Sequence, residues 1–262
     1  MNKFLPLLVA LIIFNLTNVY GTTNFSTSTI NQDDLFAYDM EVLGDLDGDG
    51  VNDMAVGSPN DNDGGKAHGA VYILFLNSDG TVKSSQKISS TEGNFKGVLD
   101  SGDCWGNAIS SLNDFDGDGI TDIAVGAHKN YSPGSENKRI GAVHILLLNS
   151  DGTVKSSQEI SDTEGNFDAL NENDTFGIDL TSIGDLDGDG ITDIAVGANG
   201  DSESGLLTGA VYILLLNSDG TVKSYQKISS EQSNFQLTLD DSDMFGSSVG
   251  SIGDLDGDGI TD

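Results

Sequence analysis

The nine residues Asp185–Asp193 read DLDGDGITD, with carboxylates at positions 1, 3, 5 and 9. Four like charges at that spacing repel one another unless a cation sits among them. Glycines at positions 4 and 6, Gly188 and Gly190, let the backbone turn about a central point, and position 7 adds the carbonyl of Ile191. The donors are therefore Asp185, Asp187, Asp189, Asp193 and one backbone oxygen. Hard oxygens in this number suit Ca²⁺, which takes six to eight of them at about 2.3–2.6 Å. Mg²⁺ holds its waters and prefers fewer protein ligands, and zinc prefers His or Cys.

The first half of the stretch also fits an EF-hand loop. That loop requires a bidentate Glu at position 12 and a helix on either side. Position 12 is Val56, Val125 or Val196, inside an apolar run, so the helical alternative fails. A merely solvated acidic turn is the other alternative. Against it stands repetition: the stretch begins at Asp45, Asp114, Asp185 and Asp254, at intervals of 69, 71 and 69 residues.

The elements that must position these loops repeat in the same phase. GAVYILFLNSDGTV starts at Gly69, GAVHILLLNSDGTV at Gly141 and GAVYILLLNSDGTV at Gly209. Before the loops stand LFAYDMEVLGD, CWGNAISSLND, TFGIDLTSIGD and MFGSSVGSIGD. A period of about 70 residues marks an array of one supersecondary unit. Each unit reads as four strands. Strand a runs from the FG pair to the loop, with Phe176, Leu180 and Ile183 as its apolar positions in the third copy. Strand b is DMAVGS or DIAVGA. Strand c, GAVYILLL, is β-branched and apolar without alternation, as a strand buried on both faces would be. Asn-Ser-Asp-Gly-Thr then makes a hairpin turn into a polar outer strand d, VKSSQKIS. Four-stranded units buried on both faces must stack on one another, and radial repetition of such sheets is the β-propeller. A β-solenoid is the rival, but its rungs are much shorter. The expected fold is all-β: three full blades and the start of a fourth, which ends inside a loop, so the propeller is read as incomplete and the chain as the beginning of a longer protein. Open outer faces are expected to carry Val71, Ile73, Val211 and Ile213 and to promote self-association.

Composition limits the partners. The 262 residues hold 42 acidic against 11 basic side chains, a formal charge of −31, which makes nucleic acid and anionic membrane surfaces poor partners and cations the natural ones. MNK followed by FLPLLVALIIF and Val19-Tyr20-Gly21 reads as an export signal over residues 1–21, too short in its apolar core for a comfortable membrane span. Residues 22–32 read as a linker and 33–262 as the repeat array. A single cysteine, Cys104, permits no internal disulfide. It reads as a small buried hydrophobe.

The FG pairs (Phe176-Gly177, Phe245-Gly246), the acidic loops and the segments Gly57-Ser58-Pro59, Gly126-Ala127-His128 and Gly197-Ala198-Asn199 together resemble FG-GAP repeats. These are the blades of the integrin α-subunit N-terminal propeller and of many microbial surface proteins. The resemblance covers roughly residues 33–262. It implies calcium in the hairpin between strands a and b, and ligand recognition by loops on the opposite face. By the same similarity the ligands of the other copies are Asp45, Asp47, Asp49 and Asp53; Asp114, Asp116, Asp118 and Asp122; and Asp254, Asp256, Asp258 and Asp262. Position 7 of these copies is Val51, Ile120 and Ile260. The departures are Phe36-Ala37 and Trp105-Gly106 in place of FG, and a proline only in the first GAP segment. The near identity of the copies and the lack of an inserted domain look microbial.

No catalytic constellation stands out. His68, His128 and His144 lack repeated partners, and His144 replaces the Tyr of positions 72 and 212. The aspartate ahead of each FG pair (Asp34, Asp103, Asp174, Asp243) repeats as a fold element would. The chain therefore reads as a non-enzymatic, secreted or cell-surface module that binds calcium and serves adhesion or recognition. The alternatives are a non-catalytic propeller domain of a larger secreted enzyme and a carbohydrate-binding propeller. Specificity for an extracellular protein or glycan would lie in loops such as 60–68 and 129–140. Asn24, Asn130 and Asn173 are sequons, meaningful in a glycosylating host.

Overall fold

The computed structural model describes residues 30–31, 33–130, 139–203, 205–230, 237–257 and 261. The export signal, nearly all of the linker, and Asp258, Ile260 and Asp262 of the fourth loop lie outside the described residues.

Among the described residues, twelve strands form three four-stranded antiparallel sheets. The first blade holds β1 (Met40–Gly44), β2 (Asp53–Ser58), β3 (Ala70–Leu76) and β4 (Val82–Ile88). The second holds β5 (Ile109–Asn113), β6 (Asp122–Ala127), β7 (Ala142–Leu148) and β8 (Val154–Ile160). The third holds β9 (Leu180–Gly184), β10 (Asp193–Ala198), β11 (Ala210–Leu216) and β12 (Val222–Ile228). Strands pair in sequence order, as hairpins linked by short turns require. The innermost strands lie side by side, β5 against both β1 and β9, so the sheets are arranged as propeller blades rather than as the rungs of a solenoid. Ile109 N–H donates to Asp39 Oδ2 (2.6 Å), tying the start of the second inner strand to the first.

Strand c is buried on both faces because blades stack on either side of it. Val71, Ile73 and Phe75 meet Trp105, Ile123, Val125, Leu146 and Leu148 between the first two blades. Val143 and Ile145 meet Phe176, Ile194, Val196, Tyr212 and Leu214 between the second and third. This corrects one expectation. Val71 and Ile73 are fully buried between blades, not on an outer face. The first blade's other face carries Val56, Tyr72, Phe36 and Leu74, while Val211 and Ile213 do lie on the far face of the third, beside Phe245 and Val249.

The FG pair also differs from expectation. It does not extend strand a, which starts four residues after the aromatic. Trp105, Phe176 and Phe245 instead form parallel bridges to Gly69, Gly141 and Gly209 of the preceding blade. The glycine after the aromatic and the glycine of the GAP segment then meet backbone to backbone. A Cβ on Gly126 would stand 2.3 Å from the Gly177 carbonyl oxygen, and one on Gly197 would stand 1.9 Å from that of Gly246. Only a residue without a side chain fits such a seam. The aspartate ahead of each pair is a turn cap: Oδ2 of Asp103, Asp174 and Asp243 accepts the N–H three residues earlier at 2.7 Å.

Candidate metal centre

Each loop opens from a kink in the inner hairpin. Gly44 pairs with Asp53, Asn113 with Asp122 and Gly184 with Asp193, with a register shift beside each pair. Gly44 and Gly184 have φ +72° and Asn113 has φ +56°, conformations that glycine and asparagine tolerate best. The loop therefore leaves the end of strand a and returns as the first residue of strand b.

That first residue is position 9, and it is buried. Asp53, Asp122 and Asp193 are each about 1% exposed. Asp122 Oδ2 accepts from Phe115 N–H (3.0 Å) and its Oδ1 from Leu148 N–H (2.8 Å). Asp193 does the same with Leu186 (2.8 Å) and Leu216 (2.9 Å), and Asp53 with Leu46 (2.9 Å) and Leu76 (3.0 Å). The carboxylate thus clamps the loop to the end of strand c. Burial pushes Asp122 up to about 6 and raises Asp193 as well, against the lowering effect of those amides.

The remaining positions ring the loop. Asp45 Oδ1 accepts from Asp49 N–H (2.9 Å) and its Oδ2 from Gly50 N–H (2.8 Å), and Asp185 repeats the arrangement with Asp189 and Gly190. Position 5 receives the N–H of position 7: Val51 to Asp49, Ile120 to Asp118 and Ile191 to Asp189, at 2.9, 2.9 and 3.0 Å. Three carboxylate oxygens per loop converge within 4.8 Å of one another: Asp45, Asp47 and Asp53; Asp114, Asp116 and Asp122; Asp185, Asp187 and Asp193. These groups could hold a metal ion. Positions 1, 3 and 9 are brought together, while Asp49, Asp118 and Asp189 stand beside them. In the fourth unit Asp254 accepts from Gly257 N–H (2.7 Å), and Asp256 is exposed.

A cation already stands at each of the first three loops. Lys83 Nζ lies 2.7 Å from Asp47 and 2.6 Å from Asp49; Lys155 lies 2.5 Å from Asp116 and 2.6 Å from Asp118; Lys223 lies 2.6 Å from Asp187 and 2.7 Å from Asp189. The ammonium stands where positive charge is demanded, so the donor set fits a hard cation: among the described residues only carboxylate oxygens converge there, with no sulfur or imidazole. The lysine hydrogen bonds hold Asp49, Asp118 and Asp189 below the usual carboxylate range. Sequence reasoning missed these lysines. Their signal was present, since a chain with 11 basic residues places one after the first valine of every strand d.

His144 fits a structural role. His144 is buried against the rings of Phe95 and Trp105, and burial pushes it down to about 4. At the same place in the first blade, Tyr72 Oη donates to Asp61 (2.9 Å) and Lys87 pairs with that aspartate (3.0 Å). The second blade exchanges the whole set: His144 replaces the Tyr, and Glu159, 3.7 Å from His144 Nε2, replaces the Lys. Cys104 is buried, as expected.

Comparison with known proteins agrees with this architecture. The FG-GAP-like repeat family matches residues 114–196, and the FG-GAP repeat family matches residues 41–74. The chain is 33% identical over 214 residues to Integrin alpha-PS2 of Drosophila melanogaster, covering 79% of this chain and 14% of the relative. It is 37% identical over 160 residues to Integrin alpha-2 of Mus musculus, covering 60% and 12%. It is also 29% identical over 206 residues to Phosphatidylinositol-glycan-specific phospholipase D of Bos taurus, covering 74% and 22%. The chain thus spans less than a quarter of the length of these relatives. Two family matches fall on the loops and blades described above, and the integrin similarity extends across them. The chain is an FG-GAP repeat protein with integrin-α-like β-propeller blades.

Proposed function

We propose that this chain is an extracellular recognition or adhesion module whose blades are stabilised by Ca²⁺. The observation that carries the reading is the threefold convergence of carboxylates at positions 1, 3 and 9, in phase with the blades. The ligands proposed are Asp45, Asp47, Asp49, Asp53 and the Val51 carbonyl, and their counterparts in the second, third and fourth loops. Bound calcium would offset two of the four negative charges of each loop, and the buried position 9 would transmit that to strand c. Residues 1–21 are read as an export signal, 22–32 as a linker and 33–262 as the array. Among the described residues no helix is long and apolar enough to cross a membrane.

The similarity to integrin α chains favours a binding role over catalysis. The similarity to Phosphatidylinositol-glycan-specific phospholipase D supports a second reading, a propeller that accompanies an enzyme. Calorimetric titration of the full chain with Ca²⁺, followed by thermal melts with and without chelator, tests the metal reading. An extracellular-type site with Kd of about 0.1 mM at about 10 mM calcium gains roughly 2.7 kcal/mol. A melt indifferent to chelator would sink the proposal.

A further inference from the structure

We propose that Lys83, Lys155 and Lys223 are tethered counter-cations that compete with the metal for positions 3 and 5. Each would lower the calcium affinity of its loop and hold that loop in shape when calcium is absent. The inference rests on the reading of the loops as calcium sites.

Three observations carry it. The ammonium of each lysine bridges the Oδ2 atoms of positions 3 and 5 at 2.5–2.7 Å, in all three blades. In the first two loops the Oδ1 atoms of these residues accept loop amides, Asp47 from Asp49 N–H, Asp49 from Val51 N–H, Asp116 from Asp118 N–H and Asp118 from Ile120 N–H, and in the third Asp189 Oδ1 accepts from Ile191 N–H. The lysine thus holds Oδ2 of position 3, a member of the converging set, and Oδ2 of position 5 beside it. Finally, the lysine side chain is 40% exposed on strand d, so it can swing into water when a divalent ion arrives. A bound Ca²⁺ would have to share these oxygens with an ammonium or displace it, and either costs affinity. Without the metal, the same ammonium relieves repulsion between two carboxylates two residues apart.

The charge also sets the size of the effect. A unit charge some 5 Å from a divalent ion, in a solvent-like dielectric, changes binding by roughly tenfold, or about 1.4 kcal/mol. Calcium titration of the full chain is compared with that of the triple variant Lys83→Met, Lys155→Met, Lys223→Met. Lys96→Met, a change at an exposed lysine outside the loop ion pairs, measures the effect of removing one surface charge, and three times its shift is subtracted from that of the triple variant. The expected result is a crossing pattern. The triple variant binds Ca²⁺ about tenfold more tightly per loop, yet melts at a lower temperature than wild type in chelator. Lys96→Met shifts neither by a comparable amount. Equal or weaker calcium binding by the triple variant, with wild type still binding, overturns the competition and leaves the calcium reading intact. A variant that is tighter but equally stable in chelator overturns the second half, the role in shaping the metal-free loop. Absence of calcium binding by wild type overturns the calcium reading and this inference together.

Discussion

Two aspartates of one loop should behave oppositely once calcium is removed. Asp122 is buried and accepts two amides, Phe115 at 3.0 Å and Leu148 at 2.8 Å. Asp122→Ala would leave both amides without an acceptor, at about 1–3 kcal/mol each. Relief of the desolvation that pushes Asp122 up to about 6 offsets part of this. The net loss expected is about 2–4 kcal/mol, or a Tm lower by on the order of 10 °C for a chain of this size. Asp118, by contrast, is exposed, and its partners are Lys155 and Ile120 N–H, both within reach of water. Asp118→Ala should leave the melt in chelator nearly unchanged. Both substitutions should weaken the calcium response of the second loop and leave the first and third nearly untouched, because each set of converging carboxylates comes from a single loop and none is shared between blades. Thermal melts of wild type and both variants, in chelator and in calcium, decide the matter. Equal stability of the two variants in chelator would refute the claim that position 9 clamps the blade independently of the metal.

The seam between blades gives a second expectation. Gly126→Ala places a Cβ against the Gly177 carbonyl oxygen and should cost about 1–3 kcal/mol in chemical denaturation; a change near zero would show the seam to be slack. Lys227→Met strands the fully buried Asp201, 2.6 Å from the lysine, and should cost about 3–5 kcal/mol, read from the denaturation midpoint. Burial pushes Asp103 up to about 7, so its folded form holds a proton more tightly than its unfolded form. Its contribution is full below about pH 4 and is lost as pH rises through 7, and Asp103→Asn should flatten that loss in a stability–pH profile. His144 has the opposite sign. Burial pushes it down to about 4, so its contribution is present above about pH 6.5 and lost as pH falls toward 4. His144→Tyr, the residue of the flanking blades, should remove that acid-side loss, and an unchanged acid limb would contradict it.

The sequence by itself determined the repeat, the strands and the loops. Strands b, c and d begin and end within a residue or so of where the repeated segments place them, because each is bounded by glycines or by the turn Asn-Ser-Asp-Gly-Thr. The acidic loops were legible for the same local reason: carboxylates and glycines at fixed offsets lie within nine residues. Tertiary structure decided what those residues touch. An apolar strand such as Ala70–Leu76 announces that both its faces are covered, but not which neighbour covers which, so Val71 and Ile73 were assigned to the wrong side. Position 9 looked like one more ligand, yet its carboxylate also holds an amide 23–26 residues away at the end of strand c. Lys83 stands 34 residues from Asp49 in the chain, and only the folding of strand d beside strand c brings them to 2.6 Å. Spacing along a chain sets local turns. Contacts between strands far apart in sequence depend on register and stacking, which packing alone selects.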